Sequence, residues 1–497
     1  MPSASIIKRA GLGRNEMLLL AAGLLVALIY FKDVGKNPVG YFVDEASIAY
    51  NAHAISQHGT DESGYVLPLY FRAFGEYKSP VYIYALAAVF WFTGPSILAS
   101  RLLSAVAGLI ATVLLGLLGA SLMERRLGGL IVFISAALTP WIFEISRLVF
   151  EVALFPALMA LFLLLLHIAS KREQWSWRIS AVLGSSLGLM FYTYSVGRLL
   201  APFFALGLVF FITRRRWRGV LLTWAVFGLT LLPFAAFTLH HPGALGERFK
   251  YVTFVKPEHT PAEIGGRFAK NYALNFSPRS WLVSGDPEPR HHLPVMGSLL
   301  IGVVILAALG IVLVLVWHRS EAWWRFILFG LAVSPIPASL TLDHFHTLRL
   351  VALPVFLIVL TAPAIEFLLG SDGEWRTARR VTLTALILTI LLQGAVFQWR
   401  FQVSLPRDDA FDSYYQELLF TALRRPERPI NLLDKTPAAY VYAFWYSTLH
   451  NVDMNNFRRA SVNELIPAGT LVISHELPCT NCEIITERGQ FRVYLQK

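Results

Sequence analysis

The stretch YFVDEASIAYN at residues 41–51 places two adjacent carboxylates, Asp44 and Glu45, soon after the first long apolar run of the chain. That run, MLLLAAGLLVALIYF at 17–31, follows a basic N-terminal segment, and no small-residue cleavage site comes after it. This pattern favours a retained signal anchor, with the N-terminus inside the cell, over a cleaved signal peptide. The side of the membrane on which residues 41–51 lie then decides how the rest of the chain is arranged.

The composition is typical of a protein with many membrane spans. Of 497 residues, 55% are hydrophobic and 15% are charged, whereas about 25% of residues are charged in an average soluble domain. The formal net charge is +11, but the basic residues occur in short clusters between apolar runs, which is the pattern of cytoplasmic loops. The sequence therefore predicts a multi-pass protein of the plasma or inner membrane, and it gives no reason to expect nucleic-acid binding.

Eleven apolar runs are predicted to span the membrane. They lie at 17–31, 100–122, 129–146, 152–169, 179–197, 200–213, 219–239, 298–317, 323–341, 348–369 and 381–398. A further run at 81–93 is too short for a straight span, which needs roughly 20 residues. The basic clusters lie on the same side as the N-terminus only if 81–93 does not cross, so the positive-inside rule predicts an interfacial or re-entrant helix there. The sequence therefore predicts an α-helical protein with eleven spans and with its C-terminus outside the cytoplasm.

Two domains follow from this arrangement. Residues 1–403 are predicted to form the transmembrane domain, whose first long loop, 32–99, and second long loop, 240–297, both lie outside the cytoplasm. Residues 404–497 are predicted to form a small α/β domain on the same side. In that domain RPINLLD and TLVISHEL are typical of strands, and PAAYVYAFWYSTL is typical of a helix.

The cysteines lie in the C-terminal domain. Cys479 and Cys482 form a C-x-x-C segment, and a zinc site would need two more ligands, of which only His475 is nearby. A local disulfide is therefore favoured, since the domain is predicted to lie outside the cytoplasm.

Basic side chains also occur at the outer ends of the apolar runs, where the positive-inside rule disfavours them. They are Lys78, Arg101, Arg147, Arg198 and Arg349. Snorkelling or pairing with a nearby carboxylate explains any one of them, since an ionisable group at membrane depth is costly unless it is paired or used. Together they indicate a site for a membrane-embedded anion, such as the phosphate of a lipid.

Other polar residues near the same surface have two interpretations. Glu151 follows Arg147 by four positions, so the two would either form an ion pair on one helix face or shape a polar pocket opposite Asp44. Tyr192 and Tyr194 lie two positions apart near the outer end of an apolar run, where they would either belong to an aromatic belt or line a sugar pocket.

Several segments of the chain resemble a known family. They are FVDEASIAYNAHAI, GTDESGYVLPLYFRAFGEYKSPVYIY, SRLLSAVAGLIATVLLGLLG, TPWIFEISRLVFEVAL, YTYSVGRLLAP, NFSPRSWLVSGDPEPRHHLPVMG and DHFHTLRLVALP, in this order over roughly residues 15–400. The chain resembles a bacterial or archaeal member of the protein O-mannosyltransferase and aminoarabinose transferase-like glycosyltransferases of the GT-C class. The resemblance implies the GT-C fold, with surface helices in the first long loop. It also implies transfer of a sugar from a polyprenyl-phosphate carrier to an acceptor hydroxyl outside the cytoplasm, with inversion at the anomeric carbon.

The resemblance further implies roles for particular residues. Asp44 corresponds to the family's catalytic carboxylate, Glu45 to a partner that positions it, and Glu151 to the family's second acidic position. Lys78 matches the basic residue before a proline step, although the family's usual second proline is absent from the Ser-Pro step found here.

The expected chemistry needs a carboxylate and cations together. The carboxylate takes the proton of the attacking hydroxyl, and the cations stabilise the negative charge that grows on the leaving phosphate. The predicted ligands of the donor phosphate are Arg198 and Arg349, with Lys78, Arg147 and His346. The predicted residues of the sugar pocket are Tyr192, Tyr194 and His344.

No cofactor is expected from the sequence. A divalent metal held by Asp44 and Glu45 is an alternative without any ligand cluster to support it. Two other functions stay open: a ligase that transfers a whole glycan from a lipid diphosphate, and a transporter of a lipid-linked sugar, which is disfavoured because the spans carry almost no charge at mid-helix. The sugar is not determined, and the acceptor is a lipid, a protein or a glycan.

Overall fold

The computed structural model describes residues 14–294, 296–370, 373–403, 408–434, 439–477, 479 and 481–497. Among these residues, the helices that are long and apolar enough to cross a membrane are Ile97–Met123, Glu151–Ser170, Trp217–His240, Ile301–His318 and Arg376–Val403. Shorter apolar helices are Glu16–Phe31, Pro80–Thr93, Arg126–Leu138, Gly197–Phe211 and Leu353–Leu369. The predicted helical membrane-protein fold is confirmed, while the count of eleven spans and their sidedness stay predictions.

The first part of the chain contains helices and one short hairpin. The α-helices are α1 (Arg14–Phe31), α2 (Val43–His58), α3 (Pro80–Thr93), α4 (Ile97–Met123), α5 (Arg126–Leu138), α6 (Pro140–Ile145), α7 (Phe155–Ser170), α8 (Trp177–Thr193), α9 (Gly197–Gly207), α10 (Trp217–Thr230) and α11 (Leu232–His240). The hairpin, between α2 and α3, consists of β1 (Phe71–Ala73) and β2 (Glu76–Lys78). Two 3-10 segments are Glu151–Leu154 and Leu208–Phe211.

The central part is again helical. Its α-helices are α12 (Glu247–Val252), α13 (Pro261–Asn275), α14 (Ile301–Leu313), α15 (Ala322–Val333), α16 (Ile336–Ser339), α17 (Leu353–Val359), α18 (Thr361–Leu369) and α19 (Arg376–Val403). A 3-10 turn at Ala244–Gly246 and π-helical segments at Ser280–Ser284 and Val314–His318 complete it. Prolines explain why predicted runs are divided: α6 starts at Pro140 and α11 carries Pro233 in its first turn. Proline suits the first turn of a helix and interrupts the interior of one.

Small residues allow α4 and α5 to approach closely. A Cβ atom added at Gly116 would lie 2.8 Å from Cβ of Phe133, and one added at Gly129 would lie 2.7 Å from the carbonyl oxygen of Gly116. Close backbone contact through glycine is a common way for helices to pack in a membrane, where no hydrophobic effect drives them together. This contact holds α4 in place, and the N-terminal end of α4 supports the first long loop.

The C-terminal domain has the predicted α/β composition. Its elements are α20 (Asp408–Phe411), α21 (Tyr415–Leu423), β3 (Ile430–Asp434), α22 (Ala439–Leu449), a 3-10 turn (Met454–Asn456), β4 (Phe457–Ala460), β5 (Leu471–His475), β6 (Cys482–Arg488) and β7 (Phe491–Gln496). The strand order is β4-β3-β5-β7-β6, with β3 parallel to β4 and β5, and β7 antiparallel to β5 and β6. Cys479 and Cys482 form the predicted disulfide.

The C-terminal domain packs on the first long loop through aromatic side chains. The ring of Trp445, on α22, stacks on Tyr41 at 5.6 Å between centroids and on Phe90 at 6.1 Å. The backbone N–H of Tyr41 also donates to the carbonyl oxygen of Phe411 at 2.8 Å. As a result α2, which lies where the resemblance implies a surface helix, is placed between α3 and α22 and is buried along most of its length. The start of α2, with Asp44, is thereby held in a fixed position.

Candidate active site

A cavity of about 340 Å³ opens where the first long loop meets the segment between α11 and α13 and the segment before α17. The predicted site residues that line it are Asp44, Lys78, Glu151, Tyr194, Arg198, His346 and Arg349. Apolar residues that line it include Ile48, Leu199, Leu245, Phe249 and Val252. The structure therefore brings the predicted carboxylate and several of the predicted cations together with apolar residues from distant parts of the chain.

Asp44 and Lys78 form an ion pair at the edge of this cavity. Nζ of Lys78 donates to Oδ1 of Asp44 at 2.6 Å. The side chain of Lys78 is 5% exposed and that of Asp44 is 31% exposed, so the carboxylate is accessible while the ammonium group is buried. Burial alone would raise the pKa of Asp44, but the neighbouring Lys78 ammonium outweighs it and holds that pKa below its usual value. Asp44 also lies in the first turn of α2, where the helix dipole favours a negative charge.

The ion pair of Asp44 and Lys78 predicts how activity should depend on pH. Lys78→Met removes the cation that lowers the pKa of Asp44, while burial, which raises it, stays. We expect the acid limb of the profile of kcat/KM against pH to move to higher pH in this variant, because Asp44 must be ionised to accept a proton. Lys36→Met, an exposed lysine of the same loop, is the control and should leave the limb in place. An unchanged acid limb in Lys78→Met would contradict the assignment of that limb to Asp44.

Glu151 lines the same cavity and lies near enough to Lys78 to interact with its charge. It begins the 3-10 turn that precedes α7, and its Oε1 accepts a hydrogen bond from the backbone N–H of Ser79. Because Ser79 follows Lys78 directly, this contact fixes the backbone that carries the lysine. Glu151 therefore lines the cavity and orients the basic residue, although the two are far apart in sequence.

The carboxylate of Glu45 points away from the cavity and is hydrogen-bonded to other groups of the protein. Its carboxylate accepts from Nη2 of Arg101 at 3.0 Å, from the backbone N–H of Val149 at 3.0 Å and from the backbone N–H of Phe42 at 2.9 Å. The side chains of Glu45 and Arg101 are both 0% exposed. The pair ties the start of α2 to α4 and to the segment before Glu151. Glu45 thus has the position of a residue that holds its neighbour in place, and a metal shared by the two adjacent carboxylates does not fit this geometry.

The prediction that Arg147 binds the donor phosphate is wrong. Arg147 is fully buried, and its guanidinium group donates to the carbonyl oxygens of Tyr30 at 2.9 Å, Lys32 at 2.9 Å and Asn37 at 3.0 Å. The carbonyl group of Tyr30 belongs to the last turn of α1, where carbonyl groups have no partner within the helix, and those of Lys32 and Asn37 follow the end of α1. The chain is also not helical between Arg147 and Glu151, so the two do not share a helix face.

Two predicted members of the sugar pocket also lie elsewhere. The hydroxyl of Tyr192 donates to the carbonyl oxygen of Thr230 at 2.8 Å and accepts from the backbone N–H of Phe234 at 3.0 Å. It therefore satisfies backbone groups that the break between α10 and α11 leaves without helical partners. His344 is exposed and does not line the cavity. Tyr194 is the member of the predicted pair that lines it.

Arg198 and Arg349 reach the cavity from different directions. Nη1 of Arg349 pairs with Oδ2 of Asp343 at 2.6 Å and donates to the hydroxyl of Thr341 at 2.9 Å. The guanidinium group of Arg198 lies 5.2 Å above the ring of Tyr70, and its Nε has no hydrogen-bond partner within the described parts of the chain. Both groups keep N–H donors for an anion in the cavity, which suits the predicted phosphate binding.

Sequence reasoning missed three basic residues of the cavity, all in the second long loop. Arg248 pairs with Glu76 at 3.2 Å, which joins α12 to the hairpin. Arg290 lies 4.5 Å from the ring centre of Phe42, and His291 follows it. The segment that carries Arg290 and His291 has no helical or strand periodicity, so nothing in its pattern indicated which charges face the cavity.

Three residues beside the cavity could hold a metal ion. The ligand atoms of Asp286, His291 and His346 lie within 4.8 Å of one another. An aspartate with two histidines is a suitable donor set for a divalent transition metal. Nδ1 of His346 is buried without a hydrogen-bond partner among the described residues. Nδ1 of His291 lies 3.4 Å from Oδ2 of Asp286, and this oxygen also accepts from the backbone N–H and the hydroxyl of Thr347, both at 2.7 Å.

Similarity to known proteins agrees with this geometry. Undecaprenyl phosphate is bound in a solved structure of ArnT from Cupriavidus metallidurans, to which the chain is similar with a TM-score of 0.52, 13% identity and coverage of 97% of this chain and 98% of that one. A second similar structure is the oligosaccharyltransferase AglB from Archaeoglobus fulgidus with an inhibitory peptide and a dolichol-phosphate, with a TM-score of 0.55, 12% identity and coverage of 92% and 69%. The predicted GT-C fold of membrane glycosyltransferases is therefore confirmed.

A family model agrees with the sequence resemblance over part of the chain. Residues 77–240 match the family described as dolichyl-phosphate-mannose-protein mannosyltransferase. This segment begins one residue before Lys78 and includes Glu151, Tyr194 and Arg198. No curated protein matches the chain in sequence. The resemblance to the GT-C mannosyltransferase-like proteins is thus confirmed by the fold of nearly the whole chain and by this segment.

Proposed function

We propose that the chain transfers a single sugar from a polyprenyl-phosphate carrier to an acceptor hydroxyl on the extracytoplasmic side of the membrane, with inversion and with Asp44 as the general base. The observation that carries this proposal is the cavity in which the carboxylate of Asp44 pairs with the ammonium group of Lys78 and shares the lining with arginines that include Arg198 and Arg349. The match to a mannosyltransferase family and the undecaprenyl phosphate bound by a protein of the same fold support a lipid-monophosphate donor.

The reaction requires one base. Lys78 holds Oδ1 of Asp44, so Oδ2 is the oxygen available to accept the proton of the acceptor hydroxyl. As that proton leaves, the acceptor oxygen forms a bond to the anomeric carbon, and the bond from this carbon to the phosphate oxygen breaks. The electron pair stays with the polyprenyl phosphate, which leaves as an anion and needs no protonation. Attack from the side opposite the phosphate inverts the anomeric carbon without a covalent intermediate.

The cations of the cavity provide for the leaving group. Lys78, Arg198 and Arg349 are the proposed ligands of the donor phosphate, and Arg248 and Arg290 add to the positive charge nearby. Fixed cations in a site shielded from water stabilise charge that develops in the transition state more than they do in water. The apolar residues of the cavity lining are the proposed contacts of the lipid tail. His346, which also lines the cavity, is the remaining proposed contact.

A second function is supported by one observation. A ligase that transfers a whole glycan from a lipid diphosphate often uses a metal, and Asp286, His291 and His346 form a candidate metal site beside the cavity. The fold similarity to an oligosaccharyltransferase is consistent with it. We rank this function second because Asp44, paired with Lys78, already provides the base that the first function needs, and no metal is needed for a monophosphate to leave.

The test is donor consumption by the purified protein in lipid. A panel of polyprenyl-phosphate sugars is offered with cell-envelope extract as acceptor, and the loss of each donor is measured. We expect consumption of one donor, which identifies the sugar, and inversion in the product. Turnover of a lipid-diphosphate glycan, abolished by a chelator and absent with every monophosphate, would contradict the proposal and support the ligase.

A further inference from the structure

A second cleft, here called the junction cleft, lies where the hairpin β1–β2 meets the C-terminal domain. It has a volume of about 290 Å³, and its walls include Glu62, Arg72, Phe74, Tyr440 and Arg459. The first three belong to the first long loop, and the last two belong to α22 and β4. This volume is close to the lower limit of small-ligand sites. The residues of the active-site cavity that have a role in the proposed transfer do not line the junction cleft.

The hairpin connects the junction cleft with the active-site cavity. The ring of Phe74 lies 6.4 Å from that of Tyr440 on the cleft side, and Nζ of Lys78 lies 5.2 Å from the centre of the same Phe74 ring. In the register of the hairpin Arg72 lies opposite Tyr77, which lines the active-site cavity. A molecule held in the junction cleft would therefore be next to the lysine that contacts Asp44.

Contacts within the protein hold the polar groups of the cleft in position before a ligand binds. The hydroxyl of Tyr440 donates to Oε1 of Glu62 at 2.9 Å, and Nδ2 of Asn51 donates to Oε2 of the same carboxylate at 3.1 Å. The guanidinium group of Arg459 lies 3.7 Å from the centre of the Tyr440 ring. These contacts fix a carboxylate, a phenol ring and a guanidinium group on one wall, where little conformational entropy is lost on binding.

Two guanidinium groups of the cleft have N–H donors that are available to a ligand. Arg72 and Arg459 are both exposed, and within the described parts of the chain neither makes an ion pair or a side-chain hydrogen bond. By contrast Arg458, the neighbour of Arg459 on β4, pairs with Glu464 at 2.7 Å and donates to Asn431 at 2.9 Å. A planar guanidinium fork matches a phosphate or carboxylate. The cleft therefore offers anion binding that the fold does not use.

We propose that the junction cleft binds the acceptor, and that the acceptor is a saccharide that carries an anionic group. The aromatic rings of Phe74 and Tyr440 provide the apolar surface on which a sugar ring packs, and the carboxylate of Glu62 accepts from its hydroxyl groups. Arg72 and Arg459 bind the phosphate or carboxylate. This proposal rests on the proposed function, because it assigns the acceptor of that transfer.

The experiment compares acceptor kinetics in Arg459→Ala, Arg72→Ala and the control Arg458→Ala. The acceptor is the envelope extract, used intact, after protease treatment and after phosphatase treatment. We expect the KM for the extract to rise about tenfold in the Arg459 and Arg72 variants, while kcat at saturating acceptor and the KM for the donor change less than about twofold. The control should keep the wild-type KM, and the thermal unfolding of each variant shows that the domains stay docked.

Different results would contradict the junction cleft, the saccharide acceptor and the proposed function. An unchanged acceptor KM in both cleft variants, with normal wild-type turnover, would contradict the junction cleft alone. Loss of the acceptor on protease treatment would show a protein acceptor and overturn the saccharide. Absence of turnover in the wild type with every donor would contradict the proposed function and this proposal with it. Persistence of the acceptor after protease treatment supports the saccharide.

Discussion

Asp44→Asn is expected to lower kcat by ~10²–10⁴-fold, because the amide cannot accept the proton of the attacking hydroxyl. Asparagine keeps the size of the side chain and can still accept a hydrogen bond from Lys78 through its amide oxygen, so the fold should persist. The measurement is donor consumption under saturating donor and acceptor, together with a thermal unfolding curve. The loss should appear in kcat rather than in the KM for the donor, since the lost interaction belongs to the transition state.

The matched control for this variant is Asp33→Asn. Asp33 belongs to the same loop and is exposed, with a φ of +49° that asparagine tolerates well. We expect it to retain wild-type turnover. Full activity in a folded Asp44→Asn protein would remove Asp44 from the chemistry, and Glu151, the other carboxylate placed in the cavity near Lys78, would then be the base to test.

Arg101→Met is expected to destabilise the protein by about 3–5 kcal/mol, because it leaves the carboxylate of Glu45 buried without its counter-charge. The guanidinium group of Arg101 also donates to the carbonyl oxygens of Pro38 at 2.6 Å and Gly40 at 2.8 Å. Its loss would therefore leave buried acceptors on the segment that leads into α2. The measurement is the unfolding midpoint of purified protein, monitored by loss of the monodisperse fraction with temperature. Activity should fall as well, since the start of α2 carries Asp44.

A matched control compares the loss of this buried ion pair with the loss of an exposed ion pair. Arg126 and Glu16 form an ion pair at 3.7 Å whose side chains are 72% and 47% exposed, and such surface pairs contribute about 0–1 kcal/mol. Arg126→Met should therefore change the unfolding midpoint far less than Arg101→Met. Equal effects of the two substitutions would show that the buried pair does not hold the first long loop in place.

The sequence and the structure agree best where a prediction depended on composition or on local pattern. The apolar runs became helices, and the strands and helix expected in the C-terminal domain occur as β3, β5 and α22. Proline positions account for the divided helices, because the effect of proline on a helix is local. The prediction that Lys78, Arg198 and Arg349 share one site came from cations in unfavourable places, whereas the role of Asp44 came from the family resemblance, and all four line one cavity.

The roles of similar residues could not be read from the sequence. Asp44 and Glu45 are adjacent carboxylates, but successive residues of an α-helix point about 100° apart, and only Asp44 faces the cavity. Arg101, Arg147 and Arg198 all lie at the ends of apolar runs. The structure shows that the first is bound by a buried carboxylate and the second by backbone carbonyl groups, while the third faces the cavity.

The sequence by itself determined the membrane-protein class, the helical segments and the residue types available for the chemistry. It did so because hydrophobic run length, charge placement and proline act on neighbouring residues. Only the tertiary structure decided which charges meet, since contacts such as Ser79 with Glu151, Glu62 with Tyr440 and Asp286 with Thr347 join segments 72, 378 and 61 positions apart. Burial of a side chain and the supply of its hydrogen-bond partners arise when such segments pack, and these decide whether an arginine supports the fold or faces a ligand.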